Sequence, residues 1–248
     1  MPKRSNASAM SEQQAVTEMF DDISSHYDFL NHLLSFGIDR QWRRKTSKLV
    51  AKHHPSTILD VATGTSDLAI RMAKDIPSAA ITGVDLSEKM LEKGREKLAK
   101  KRLDQHITLV TGDAMNLPFP DDSFDAVTVA FGVRNFPDRE AGLREMARVC
   151  RDKGLLVVLE FSHPKNPIIE VPYRWYSKTL LPWLGRIVSK HPTAYSYLPS
   201  SVAAFPESDE FATMLHASGL SQPIVKSLSG GIATLYHGIV TKNDAKTQ

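Results

Sequence analysis

The chain alternates between short apolar runs and longer stretches in which apolar residues return every three or four positions. Five runs have strand character: Ile58–Ala62, Ala80–Val84, Ile107–Thr111, Phe124–Ala130 and Leu155–Phe161. Between them, residues about 66–75, 87–102 and 138–150 carry helical spacing. Repeated strand, helix, strand predicts an α/β fold, a parallel sheet with helices on both faces. The runs ITGVD and LLVVLEF are apolar nearly throughout, as strands buried on both sides should be. A helix near 207–218 and two late strands, about 222–228 and 232–241, bring the expected sheet to seven strands.

The remaining stretches read as additions to this core. Residues 1–14, polar with few apolar anchors, predict a disordered tail ahead of a single domain over 15–248. Val16, Met19, Phe20 and Ile23 recur at helical spacing, and SSHYDFLNHLLSFGIDRQWRRK reads as two short helices broken near Gly37. Together 15–54 would form an N-terminal helical cap. Residues 163–206 break the rhythm with seven prolines and the aromatic cluster YRWYSKTLLPWLGR. They read as a lid or substrate insertion over the active-site end of the sheet.

Composition narrows the function classes. The 248 residues carry 31 basic and 28 acidic side chains, a net charge of +3. That balance argues against nucleic acid, whose binders concentrate basic charge in a stripe. Cys150 is the only cysteine, which excludes an intramolecular disulfide and suits a reducing cytosol. The N-terminus lacks the apolar core of a signal peptide. No stretch approaches the roughly 18 to 20 apolar residues that span a bilayer. The expected location is therefore cytoplasmic, with at most peripheral contact at the inner face of the membrane.

Candidate chemistry begins at ILDVATGTSDLAI, where a buried strand turns on Gly64 into a helix. Ligands of open α/β sheets sit at the carboxyl ends of the strands, where strand order reverses. A dinucleotide would call for G-x-G-x-x-G here, and a P-loop for G-K-S/T. This turn offers neither, with Ala62 and Ser66 where flanking glycines would stand. Instead Asp60 precedes it and Asp67 follows it, and carboxylates around a loop favour a cation over a polyanion. Asp85 ends the second strand, 21 residues after Gly64, placed to accept from a ribose diol. Asp113 follows the third, placed to accept from an adenine amino group. Read singly, Asp60 is equally a turn cap, and Asp85 the prelude to a helix cap. Read together they describe a nucleoside that carries positive charge and no phosphate, conditions S-adenosylmethionine meets.

The chain resembles the class I S-adenosylmethionine-dependent methyltransferases, with a Rossmann-like, mostly parallel seven-stranded sheet. More narrowly, it is similar to the ubiquinone/menaquinone biosynthesis C-methyltransferases, from about residue 16 to 241. The resemblance rests on FDDISSHYDFLNHLLSFGIDRQWRR, ILDVATGTSDLA, GVDLSEKML, GDAMNLPFPDDSFDAVTVAFGVRNFPD and SGGIATLYHGIV. It implies that Thr65, Asp85, Asp113 and Ala114 hold the donor, with Gly64 and Asp60 at the turn. Ala130 stands where some members carry a donor-contacting serine, and Ser66 where some carry a second glycine.

The same resemblance implies C-methylation of a polyprenylated hydroquinone, demethylmenaquinol to menaquinol or the corresponding ubiquinone precursor. A phenol ionises near pH 10, so the ring needs a base or an oxyanion stabiliser to become nucleophilic. Arg134 is expected as the oxyanion stabiliser and Asn135 as the group orienting the quinol or its water. Tyr27 is expected to close over donor or acceptor. His26, His163 and Asp60 are candidate bases, and a helix-capping or salt-bridging role beside Asp138 is the plainer account of Arg134. No metal site is expected, since His53 and His54 are adjacent rather than four apart and no Cys/His cluster exists.

Tyr176, Leu180, Leu184 and Ile187 form a stripe with basic residues distributed about it, though Pro182 interrupts it. That stripe reads as a lid packed on the core, a prenyl-tail pocket or a membrane-surface helix. A homodimer is left open. An NAD-dependent oxidoreductase is disfavoured by the missing glycines, and a non-catalytic scaffold would have to explain the whole donor set.

Overall fold

The computed structural model describes residues 37–162 and 200–242 continuously, together with residues 18, 19, 21, 35, 164, 167, 170, 171 and 197. Seven strands form one sheet: β1 (Thr57–Val61), β2 (Ala80–Asp85), β3 (Ile107–Thr111), β4 (Phe124–Ala130), β5 (Cys150–Phe161), β6 (Leu220–Leu228) and β7 (Ala233–Val240). Among the described residues five α-helices accompany them: α1 (Asp39–Ala51), α2 (Asp67–Asp75), α3 (Glu88–Lys101), α4 (Arg139–Val149) and α5 (Ser208–Ala217).

The strand order is β3-β2-β1-β4-β5-β7-β6. β7 runs antiparallel between β5 and β6, and the other neighbouring pairs are parallel. The chain runs outward from β1 to β3 and then returns to β4 on the other side of β1. The order therefore reverses between β1 and β4, and the crevice at their carboxyl ends is the natural ligand site.

Two apolar layers sandwich the sheet. Ile58, Leu155, Val157 and Leu159 pack with Trp42 of α1, Leu68 and Met72 of α2 and Leu98 of α3. Leu59, Val127, Leu156 and Val158 pack with Leu143 and Met146 of α4 and Phe211 and Leu215 of α5. Successive β5 residues thus alternate between the two cores, the reason LLVVL is apolar at every position.

Local chemistry sets the helix starts. Ser87 Oγ accepts from the Met90 amide at 3.1 Å, and Asp138 Oδ1 from the Ala141 amide at 2.9 Å. Both are side-chain caps of α3 and α4. α1 starts after Gly37, whose φ of +71° redirects the chain into it.

β5 begins at Cys150, five residues earlier than its apolar run suggests, because charged residues 151–153 continue the strand across a register shift opposite Phe124 and Ala126. Among the described residues no helix is long and apolar enough to cross a membrane. The stripe at 172–190 lies outside the described residues.

Candidate active site

The turn between β1 and α2 holds left-handed backbone at three alternate positions: Ala62 (φ 51°), Gly64 (φ 55°) and Ser66 (φ 69°). A non-glycine residue there costs about 1–2 kcal/mol. The loop thus has the backbone of a three-glycine turn while its sequence has one. The facing elements supply the missing room. A Cβ at Gly132 would lie 2.5 Å from the Ala62 methyl, and one at Gly94 would lie 2.7 Å from Ser66 Oγ. Side chains gained by the turn are accommodated by side chains absent opposite it.

Above this turn lies a cleft with about 700 Å³ of empty space, its open mouth included. That size suits a nucleoside-sized ligand. Gly64, Asp85, Asp113, Ala114 and Asn135 line it, with Leu86, Met90, Met115 and Phe136 as apolar walls. Among its described lining residues there is no Lys, Arg or His, and two are carboxylates. Phosphate would find no cation among these residues; hydroxyl and amino donors would find acceptors.

Asp85 organises one end. Its Oδ2 accepts from the Gly64 amide at 2.7 Å and its Oδ1 from the Ser87 amide at 3.0 Å. Ser87 Oγ in turn donates to Asp21, which places that carboxylate at this edge. Burial foremost, and the nearby Asp21 charge, lift the Asp85 carboxyl above its ordinary range; backbone amides of Ser87, Gly64 and Leu86 oppose that lift. Asp113 Oδ1 accepts from the Met115 amide at 3.0 Å, which folds the segment after β3 so that Ala114 faces the cleft.

Asp60 and Thr65 lie elsewhere, in a smaller polar hollow with Arg43, Thr63, Asp67 and Ala130; Ala62 borders both spaces. Asp60, 1% exposed, accepts from Thr63 Oγ1 and Thr128 Oγ1, each at 2.7 Å. Burial raises its carboxyl to about 6, against the pull of those two hydroxyls and of Arg43. The acidic character expected of the turn is halved, because Lys97 of α3 pairs with Asp67 and donates to Thr65 Oγ1 at 3.0 Å.

The raised Asp60 has a calculable consequence. Between about pH 4 and pH 6 the folded chain keeps a proton that the unfolded chain has lost. Folding stability should therefore fall by up to about 3 kcal/mol as pH rises through that window. A cationic ligand held by ionised Asp60 should bind about tenfold more weakly per pH unit below 6. Calorimetry in buffers of different ionisation enthalpy should show proton release on binding at pH 5.5; none would detach Asp60 from the ligand.

Arg134 sits just after β4, and it does not line the cleft. Its Nη1 donates to Glu160 Oε1 at 2.9 Å and to the Phe131 carbonyl, and its backbone amide donates to Glu160 Oε2 at 3.2 Å. Its side chain is 5% exposed and that of Glu160 0%. Its guanidinium carbon also lies 5.5 Å from the Phe161 ring centre. The guanidinium expected to face the acceptor is thus turned inward, because a fully buried carboxylate one strand away claims it. Nor does Asp138 pair with it, being engaged as the α4 cap.

Asn135, by contrast, reaches the cleft, and its Oδ1 accepts from Tyr197 Oη at 3.0 Å. Tyr27, His26 and His163 lie outside the described residues. Sequence reading had not singled out Arg43, Glu160 or Tyr197. Glu160 carried a signal, as the lone charge in the apolar run Leu155–Phe161; the other two carried none.

The family model described as the ubiE/COQ5 methyltransferase family matches residues 8–240. The chain belongs to the ubiE/COQ5 methyltransferase family. A Porphyromonas gingivalis protein named demethylmenaquinone methyltransferase is 44% identical over 229 residues, 92% of this chain and 94% of that one. A Deinococcus radiodurans protein of the same name is 45% identical, covering 91% of this chain and 92% of its own. A Geobacter sulfurreducens protein named ubiquinone/menaquinone biosynthesis C-methyltransferase is 44% identical, covering 91% and 88%.

Solved structures share the fold of this ubiE/COQ5 methyltransferase at much lower identity. A SAM-dependent methyltransferase from Aquifex aeolicus has a TM-score of 0.56 at 16% identity, over 79% of this chain and 89% of that one. A Methanococcus maripaludis protein titled a putative S-adenosyl-L-methionine-dependent methyltransferase has 0.59 at 17%, over 99% of each. The sheet is thus the Rossmann-like sheet of S-adenosylmethionine-dependent enzymes.

Proposed function

We propose that this chain transfers the methyl group of S-adenosylmethionine to a ring carbon of a polyprenylated hydroquinone, converting demethylmenaquinol to menaquinol. The observation that carries the acceptor is the 44–45% identity, along nine-tenths of the chain, to relatives named for that substrate. A second reading is methylation of 2-polyprenyl-6-methoxy-1,4-benzoquinol, favoured by the Geobacter relative, whose name covers both quinones.

The site residues fit such a donor. Asp85 would accept from the ribose hydroxyls, while Asp113 and the Ala114 backbone would meet the adenine edge. The adjoining hollow sets Asp60 near Arg43, opposite charges that suit an amino acid's ammonium and carboxylate, with Thr65 alongside. When bound, the sulfonium supplies an activated methyl. The chain's part is to hold the acceptor ring in line, exclude water and stabilise an oxygen becoming phenolate. Asn135, which lines the cleft, would donate to that oxygen, and the buried Arg134–Glu160 pair anchors the residue before it. A prenylated acceptor resides in a bilayer, so the reading includes peripheral membrane contact through the basic, apolar-striped 172–190.

Labelled methyl should pass to reduced demethylmenaquinone when this acceptor and the reduced benzoquinone are presented side by side. Label on the benzoquinol alone would move the assignment to the second reading. Label on neither would overturn the quinol assignment.

A further inference from the structure

Asn135 has one carboxamide, and Tyr197 engages its oxygen end. Tyr197 lies 62 residues along the chain, inside the proline-rich insertion, yet its hydroxyl donates to Asn135 Oδ1 at 3.0 Å. Around this contact lie two arginines, Arg134 and Arg139, and two carboxylates, Glu160 and Glu210. Arg139, in the first turn of α4, interacts electrostatically with both Tyr197 and Glu160, and its Nη2 donates to the Arg134 carbonyl at 3.4 Å. Its Nε is buried with no hydrogen-bond partner among the described residues.

A carboxamide offers an acceptor oxygen and a two-donor nitrogen. With the oxygen held by the phenol, the N–H₂ is the part left for a ligand. A group presenting only donors suits an oxygen that gains negative charge during reaction, and repels none of its developing charge. We infer that Tyr197 is a positioning residue of the acceptor site, orienting Asn135 so that its N–H₂ faces the cleft. This rests on the quinol reading for what the N–H₂ meets, and on the Tyr197–Asn135 contact alone for the orientation.

Tyr197→Phe keeps the ring and removes the hydroxyl. Its turnover number on reduced demethylmenaquinone should fall about tenfold, with S-adenosylmethionine affinity by calorimetry within twofold of wild type. In the Asn135→Ala background the same change should cost nothing further, since Tyr197 acts through Asn135. Full turnover in Tyr197→Phe, or losses that multiply in the double variant, would overturn the inference.

Orientation has a second readout that needs no substrate. The Asn135 side-chain N–H₂ resonances, identified by their absence in Asn135→Ala, should shift in Tyr197→Phe. Unmoved resonances refute the orientation whatever the acceptor proves to be. Shifted resonances beside a wild type inactive on both quinols would uphold it while the quinol reading falls.

Discussion

Asp85→Ala should weaken S-adenosylmethionine binding by about 10- to 100-fold, measured by calorimetry on the full chain. A hydrogen bond to a charged acceptor is worth about 1.5–3 kcal/mol, and a ribose diol offers two donors to this carboxylate. Asp85 is also already desolvated, with its carboxyl raised by burial. Its dehydration cost is met in the fold, before any ligand arrives, which makes it a preorganised acceptor. The same carboxylate receives the Gly64 and Ser87 amides at 2.7 and 3.0 Å, so its loss also loosens the turn. Asp85→Asn separates the two effects, since it keeps one oxygen and the side-chain shape. Asn should retain more of the melting temperature than Ala while losing most of the affinity. Affinity unchanged in both variants would remove Asp85 from the donor site.

The sheet was legible because its signal is local. The apolar runs at 107–111 and 124–130 coincide with β3 and β4, and the remaining strands differ by a few residues at their ends. Each run must be apolar on both faces to lie between helices, and that is visible without tertiary information. The early start of β5 was not visible. Residues 151–153 are charged and belong to the surplus residues of β5 where its register with β4 shifts. The outward-then-back strand order likewise depends on pairing across the chain, which no local pattern records.

At the site, residues whose placement follows from the end of a strand were legible. Gly64, Asp85, Asp113, Ala114 and Asn135 all line one cleft. Residues whose role depends on which way a side chain turns were not. Asp60 and Thr65 flank the same turn yet face the smaller hollow, because Asp60 is drawn to the Thr63 and Thr128 hydroxyls and Thr65 to Lys97. The one-glycine turn illustrates the same limit. Its three left-handed positions are enabled by Gly132 and Gly94, which lie far along the chain and have no reason, read locally, to be glycine.

Arg134→Met should lower the melting temperature by roughly 10 °C, the largest stability effect expected here. It leaves Glu160 as a fully buried carboxylate without its cation, a change that costs about 3–5 kcal/mol, and each kcal/mol moves a domain of this size by about 2–4 °C. Glu160 would retain the amides of Arg134 and Phe161, which soften the loss without neutralising the charge. Arg134→Met/Glu160→Gln removes both charges together and should recover most of the lost melting temperature, as buried pairs commonly tolerate joint replacement better than single. The two accounts of Arg134 then part cleanly. An arginine that stabilised the acceptor oxygen would leave folding intact when replaced, would abolish turnover, and would gain nothing from a change at Glu160. An arginine that pins the Phe131–Asn135 turn would lose stability and turnover together, and the double variant would restore the fold. Turnover should return with it only in part, because the Phe131 carbonyl has still lost its donor in the turn that carries Asn135. Circular-dichroism melts of the three proteins, followed by turnover at a temperature where all are folded, decide between the two. A wild-type melting temperature in Arg134→Met would refute the buried-pair account.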